Sequence, residues 1–174
     1  MILHGIDGLV LREIAEELDI THGNLQYYFQ TKDALLKTIY EEETDKYTSK
    51  LHLFVSNASS KQGKLAAIID SAIEVLESKE TRLWRILFGI ADQYPELALI
   101  LKRENEHYQN EVMKELKDIA PTLTAKRLQH ISRILRLVID GMGVDLIYEN
   151  PKSPQYSGLK NELKSMFSTL LELK

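Results

Sequence analysis

Apolar residues recur at helical spacing along nearly the whole chain, and the interruptions between the runs divide it into elements. Leu11, Ile14, Ala15 and Leu18 form one short amphipathic run. From Thr21 a second run places Leu25, Tyr28 and Phe29 on one side of another short helix. Only Asp19 and Ile20 lie between, which leaves room for a sharp turn; aspartate tolerates the left-handed or bridge backbone such a turn needs, and Thr21 suits the cap of the following helix. Two helices joined this closely meet at a steep angle, the geometry of a helix-turn-helix.

A long helix is predicted from Thr31, its cap, with Asp33 in the favourable first turn and Leu36, Tyr40, Tyr47, Leu51 and Phe54 at heptad-like spacing. Its middle, EEETDKYTSK, is polar on most faces and is expected to join a head to a body. SNASSKQG breaks the pattern at residues 56–63. Leu65, Ile69, Ala72 and Leu76 then mark a helix, and Leu83, Leu87 and Ile90 a short one that ends before Pro95. Pro95 suits the first turn of a helix with the apolar stripe Leu97, Leu101, Tyr108, Val112, Leu116 and Ile119, closed by Pro121.

The next helix, from about Thr122 to Glu149, carries Leu128, Ile131, Leu135, Val138, Met142 and Leu146, and Ile134, Ile139 and Ile147 widen its stripe beyond what one neighbour covers. NPKSPQYSG follows as a loop in which Pro151 and Pro154 prevent helical continuation. The last helix spaces Leu159, Leu163, Met166, Leu170 and Leu173 as a packing seam. No strand-like alternation survives, so the expected fold is all-α: a helix-turn-helix head over residues 1–36 and a helical body for ligand binding and dimerisation over residues 37–174.

Composition narrows this picture. The hydrophobic share of 44% and charged share of 28% are those of an ordinary globular protein. No run approaches the roughly 20 apolar residues of a membrane helix, and no basic region followed by an apolar core opens the chain, so a cytoplasmic protein with no membrane partner is expected. The absence of cysteine excludes disulfide scaffolds, thiolate metal sites and cysteine catalysis. Glu104 and His107 form a Glu-x-x-His pair, but His4, His22, His52 and His130 do not repeat the spacing that a two-metal helical bundle needs. With no nucleophile elbow, phosphate loop or zinc-protease motif, neither an enzyme nor a metal or cofactor is expected, and Asp140 beside Gly141 reads as a structural hydrogen-bond partner.

A net charge of -4 says little against nucleic acid, because the local face presented to phosphate decides. That face is thin all the same: residues 1–40 hold Arg12, Lys32 and Lys37 against Asp7, Glu13, Glu16, Glu17, Asp19 and Asp33. Binding is then expected to lean on dimerisation and on helix N-terminal amides.

LREIAEEL followed by THGNLQYYFQTKDALL resembles the DNA-binding segment of the tetracycline-repressor-like (TetR/AcrR-type) family of bacterial transcriptional regulators, through Gly23, Leu25, the aromatic pair, Phe29, Lys32 and Leu35. That family starts with a covering helix, whereas MILHGIDG, with two glycines, is too short for three turns, so the head is expected to lack most of it. The resemblance implies a ligand-responsive homodimer, a repressor released from a palindromic double-stranded operator by a small apolar or amphipathic effector.

In such a head the second helix enters the major groove with its first half. Behind the Thr21 cap, His22, Asn24, Gln26 and Tyr27 lie opposite Leu25, and Tyr27 and Tyr28 occupy the positions that touch phosphates in the family. Gln26 departs from the family's usual tyrosine and is able to pair with an adenine edge instead. Lys32 reads as a phosphate clamp, Arg12 as a second one, and Val10 replaces the serine or threonine the family favours as cap.

For the effector, Trp84, Phe88, Tyr94, Tyr108, Met113 and Met142 are the large or adaptable side chains of the enclosing helices, with ordinary core packing as the alternative for each. For the dimer, the surplus apolar surface of the last two helices points to a four-helix bundle through Leu135, Val138, Met142, Leu146, Leu159, Leu163, Met166 and Leu170. LVIDGMGVDLI resembles the family there, and its glycines Gly141 and Gly143 cost about 1 kcal/mol each in helix propensity, which close helix approach would justify. A second reading stays open, a helical dimer that binds a small molecule or partner protein without productive DNA binding.

Overall fold

The computed structural model describes residues 10–78 and 81–173. Among them the chain is all-α, as its periodicity predicts: α1 (Leu11–Glu17), α2 (His22–Tyr28), α3 (Lys32–Ser56), α4 (Lys61–Leu76), α5 (Thr81–Ile90), α6 (Pro95–Ile119), α7 (Ala125–Asp145) and α8 (Pro154–Leu170). The first helices form a helix-turn-helix head and the later ones a helical bundle. The expectation of a shortened first helix, and the side chains of Leu83, Leu87 and Ile90, lie outside the described residues.

Capping chemistry places the helix starts. Thr31 Oγ1 accepts from the Ala34 amide at 3.1 Å, as expected. Ser60 accepts from the Gly63 amide at 3.0 Å, so α4 begins inside the stretch expected to be a break. Thr124 caps α7 through the Arg127 amide at 3.2 Å, which starts that helix three residues later than expected. The largest correction is at α8. Pro154 opens the helix, because Ser153 caps it through the Tyr156 amide at 3.2 Å and proline in the first turn lacks only a donor that has no intrahelical partner there.

Packing divides the chain into two compact units, Met1–Thr44 with Arg82–Glu104, and Asp45–Thr81 with Asn105–Lys174. The boundary falls inside α3 and again inside α6, whereas the functional division expected from the sequence lies at Leu36. In the first unit Leu35, Leu36, Tyr40, Leu97 and Leu101 are buried, with Ile14 and Phe29 packed against them. The Tyr40 and Trp84 rings meet edge-on at 4.6 Å between centroids.

In the second unit Leu51, Ile69, Leu116, Ile131 and Phe167, one from each of five helices, are almost fully buried. Each such side chain contributes about 1.5–3 kcal/mol on leaving water. Around this core, α4 is tied to its neighbours by carboxylate–lysine pairs: Glu74 with Lys50 at 2.7 Å, Asp70 with Lys164 at 2.6 Å, and Glu77 with Lys160. Their partial exposure limits each to about 0–1 kcal/mol.

At Gly143, α7 packs tightly against α4, since a Cβ added there would lie 2.9 Å from Leu76 Cδ2. Gly158 in α8 has open space at the same atom. Gly143→Val is therefore expected to destabilise the fold by about 1–3 kcal/mol through overpacking, while Gly158→Ala gains about 0.5–1 kcal/mol in helix propensity. Urea denaturation of both variants checks the pair.

Candidate functional site

The turn between α1 and α2 is closed by its own backbone. Asp19 has φ 54, the left-handed conformation expected of it. Its amide donates to Glu16 O at 3.2 Å and the Ile20 amide donates to Ala15 O at 3.0 Å, the paired closure that satisfies the last carbonyls of α1. Thr21 then caps α2 at once, its Oγ1 accepting from the Asn24 amide at 3.1 Å. At the other end of α1, Val10 makes no side-chain cap bond.

Within α2 only Leu25 is buried, at 5% exposure. His22, Asn24, Gln26 and Tyr27 are exposed together, with Thr21 beside them. Tyr28 does not join Leu25 on the inner side as the periodicity predicted. It is 69% exposed, because α2 ends there and Phe29 turns to an extended backbone, φ -129 and ψ 91, which sends Phe29 alone toward the head core. The Tyr27 and Tyr28 rings form an outward edge-on pair with centroids 5.2 Å apart.

The positive charges are arranged sparingly. Arg12 Nε lies 3.2 Å from Glu16 on the same helix face, and Lys37 Nζ 3.6 Å from Glu41. Lys32 is the first residue of α3, directly behind the Thr31 cap. The head therefore offers an exposed polar and aromatic surface with a small electrostatic component.

The six expected effector residues fall in both units, Trp84, Phe88 and Tyr94 in the first and Tyr108, Met113 and Met142 in the second. Trp84 is half-buried between Tyr40 and Phe88, while Phe88 and Tyr94 are exposed. Met113 is half-buried and Met142 buried. Burial pushes the Tyr108 phenol up to about 12, with a hydrogen bond to Ser71 pulling partly the other way. Glu104 is buried against Arg103 Nε at 3.2 Å, and among the described residues no His, Asp and Glu cluster is placed to hold a metal ion. The sequence marks Asp140 as a structural hydrogen-bond partner, and Arg136 supplies that bond at 2.9 Å; Ser132 and Arg136, which share its side of α7, carry their only sequence signal in the spacing of four.

The expected dimer seam divides by phase. Leu135, Met142 and Leu163 are buried in the chain's own core, and Val138, Leu146 and Leu170 pack against it. The first three are already covered within the chain, while Val138, Leu146 and Leu170 keep part of their surface. A neighbouring stripe is exposed: Ile134, Leu137, Gly141, Val144 and Tyr148 recur at three, four, three, four, and Leu137 and Val144 are each 54% exposed. Of the expected α8 residues, Leu159 and Met166 stay exposed.

Residues 1–39 match the family profile of bacterial regulatory proteins, tetR family. GusR of Salmonella enterica has the same fold with a TM-score of 0.79 at 16% identity, over 98% of this chain and 88% of its own. A transcriptional regulator from Rhodococcus sp. Rha1 gives 0.74 at 20% identity, over 98% and 89%. The fatty acid degradation regulator FadR from Bacillus halodurans gives 0.65 at 16% identity, over 99% and 86%. No curated protein matches the sequence.

Removing the cap should loosen α2. Thr21→Ala is expected to cost about 1 kcal/mol, read as roughly a fivefold loss of hydrogen-exchange protection at the α2 amides.

Proposed function

Starting from a chain with the fold of the tetR-family transcription regulators, we propose that this protein is a ligand-responsive homodimeric DNA-binding regulator, a repressor released from a palindromic operator by a small molecule. The head over residues 1–36 reads DNA, and the body over residues 37–174 binds effector and joins subunits. The observation that carries this reading is α2: capped by Thr21, anchored by Leu25 alone, and exposed at each of its remaining positions. A surface helix with one buried residue gains little for its own fold from His22, Asn24, Gln26 and Tyr27 in the open. In a major groove the same residues supply amide and imidazole groups for base edges and aromatic groups for the backbone. Lys32 and Arg12 supply phosphate contacts, Arg12 at the cost of its pairing with Glu16.

Dimerisation in this reading uses the exposed stripe of α7 with Leu159 and Met166 of α8. Gly141, with nothing within 4 Å of an added Cβ, allows a second subunit to approach closely. An apolar or amphipathic effector shifts the dimer between two states; moving the population from 1:99 to 99:1 requires about 5.5 kcal/mol of differential binding.

A second reading, a helical dimer that binds a small molecule or partner protein and no operator, draws on the ion pairs that occupy Arg12 and Lys37. Mobility shifts with the DNA flanking the gene separate the two. The regulator reading predicts tighter binding than to random duplex, a loss of about 1–3 kcal/mol of discrimination for Gln26→Ala and a further loss for Tyr27→Ala, with both variants still dimeric. Equal binding to random duplex would favour the second reading. For the seam, Leu137→Arg is expected to give monomers in sedimentation equilibrium while Leu135→Ala gives a less stable dimer; a dimeric Leu137→Arg protein would place the interface elsewhere.

A further inference from the structure

Ser132, Arg136, Asp140 and Gly143 follow one another along α7 at intervals of four, four and three, so they share one side of the helix. At the end of that side Gly143 backs onto Leu76 of α4. Burial falls along the row: Ser132 is 2% exposed, the Arg136 side chain 26% and the Asp140 side chain 43%. Polar groups thus lead from the surface of the second unit into its apolar core, to which Leu128, Ile131 and Leu135 of the same helix belong.

Two donors in this row have no partner among the described residues. Arg136 Nη1 donates to Asp140 Oδ2 at 2.9 Å, but Arg136 Nε and Ser132 Oγ are both buried and unpaired. Buried polar groups in folded proteins are paired almost without exception, and two that are not, on one side of one helix, are suited to share a bound oxygen, of a water or of a ligand. The two lie one helical turn apart and both are able to donate to the same region.

Charge decides what they would hold. Asp140 already balances the guanidinium, so the free donors belong to a neutral pair. A ligand carboxylate would lie beside Asp140, whose own carboxyl is already pushed upward by desolvation, with Arg136 pulling it back. A carbonyl oxygen brings two lone pairs and no charge, and its apolar remainder would suit the neighbouring leucines and isoleucines.

We propose that Ser132 Oγ and Arg136 Nε anchor the oxygen of a neutral, largely apolar carbonyl compound, a ketone or an ester. The assignment rests on the effector-responsive reading above and gives that effector its chemical class. Asp140 is the positioning residue, since its bond to Nη1 holds the guanidinium on the side of α7 that Ser132 shares.

The test uses the full chain with 2-octanone as probe, octanoate as its charged counterpart, and the Arg136 Nε–H resonance as a readout beside affinity. The expected result is saturable binding of 2-octanone that moves this resonance, with octanoate at least tenfold weaker. Ser132→Ala, and Arg136→Lys, which keeps the charge facing Asp140 but lacks the Nε–H in that plane, should each weaken 2-octanone about tenfold in proteins that remain folded and dimeric. Octanoate binding as tightly, unchanged affinity in both variants, no saturation by 2-octanone, or a crystal structure of the soaked protein with only water between the two donors would each overturn the proposal. Operator binding measured in parallel keeps the two readings apart: a protein that binds operator but fails these tests loses only the carbonyl site, and one that binds 2-octanone through these groups without binding DNA loses only the regulator reading.

Discussion

A single left-handed residue sets the direction of the helix on which function depends. Asp19, at φ 54, ends α1 and lets the chain reach Thr21 within two residues, where the next cap begins α2. Had α1 continued another turn, α2 could not begin at His22, and Leu25, its one buried residue, would be displaced. For the proposed DNA-reading role, the scarcity of positive charge makes this placement matter more: a head without broad electrostatic attraction would have to present its polar and aromatic side chains in one geometry.

α7 presents three sides of different character. Its inner side, with Leu128, Ile131, Leu135 and Met142, belongs to the core. Its outer stripe, with Leu137 and Val144, is apolar without being covered by this chain. Between them runs the row from Ser132 to Gly143, polar at its start and closed by a glycine where α4 leans in. Each residue step turns the helix by about 100°, so a change of one position in the apolar pattern moves a side chain from core to interface.

That same step explains what was legible in the sequence and what was not. The helices themselves were readable, because their periodicity is long and Thr21, Thr31 and Pro95 mark starts by chemistry that acts locally. The turn at Asp19 was readable for the same reason. Which side of α7 is covered was not: the helix has apolar residues on two sides, and periodicity cannot tell which one this chain buries, so the burial of Leu135 and Met142 and the exposure of Leu137 and Val144 emerge only from packing. Pro154 was read as a breaker although a serine before it makes it a first-turn residue. Tyr28 depended on where α2 stops, a boundary set by the turn of Phe29 rather than by any residue preference. Asp140 was noticed alone, since a buried unpaired donor on Ser132 or Arg136 is a property of packing.

The account stands most directly on the geometry of two heads reading one duplex. Hydroxyl-radical footprinting of the protein on the DNA flanking its gene measures that. The predicted result is a two-fold symmetric pair of protected stretches whose centres lie about one helical turn, roughly 34–36 Å, or a multiple of it apart. No protection beyond that seen on random duplex would contradict it.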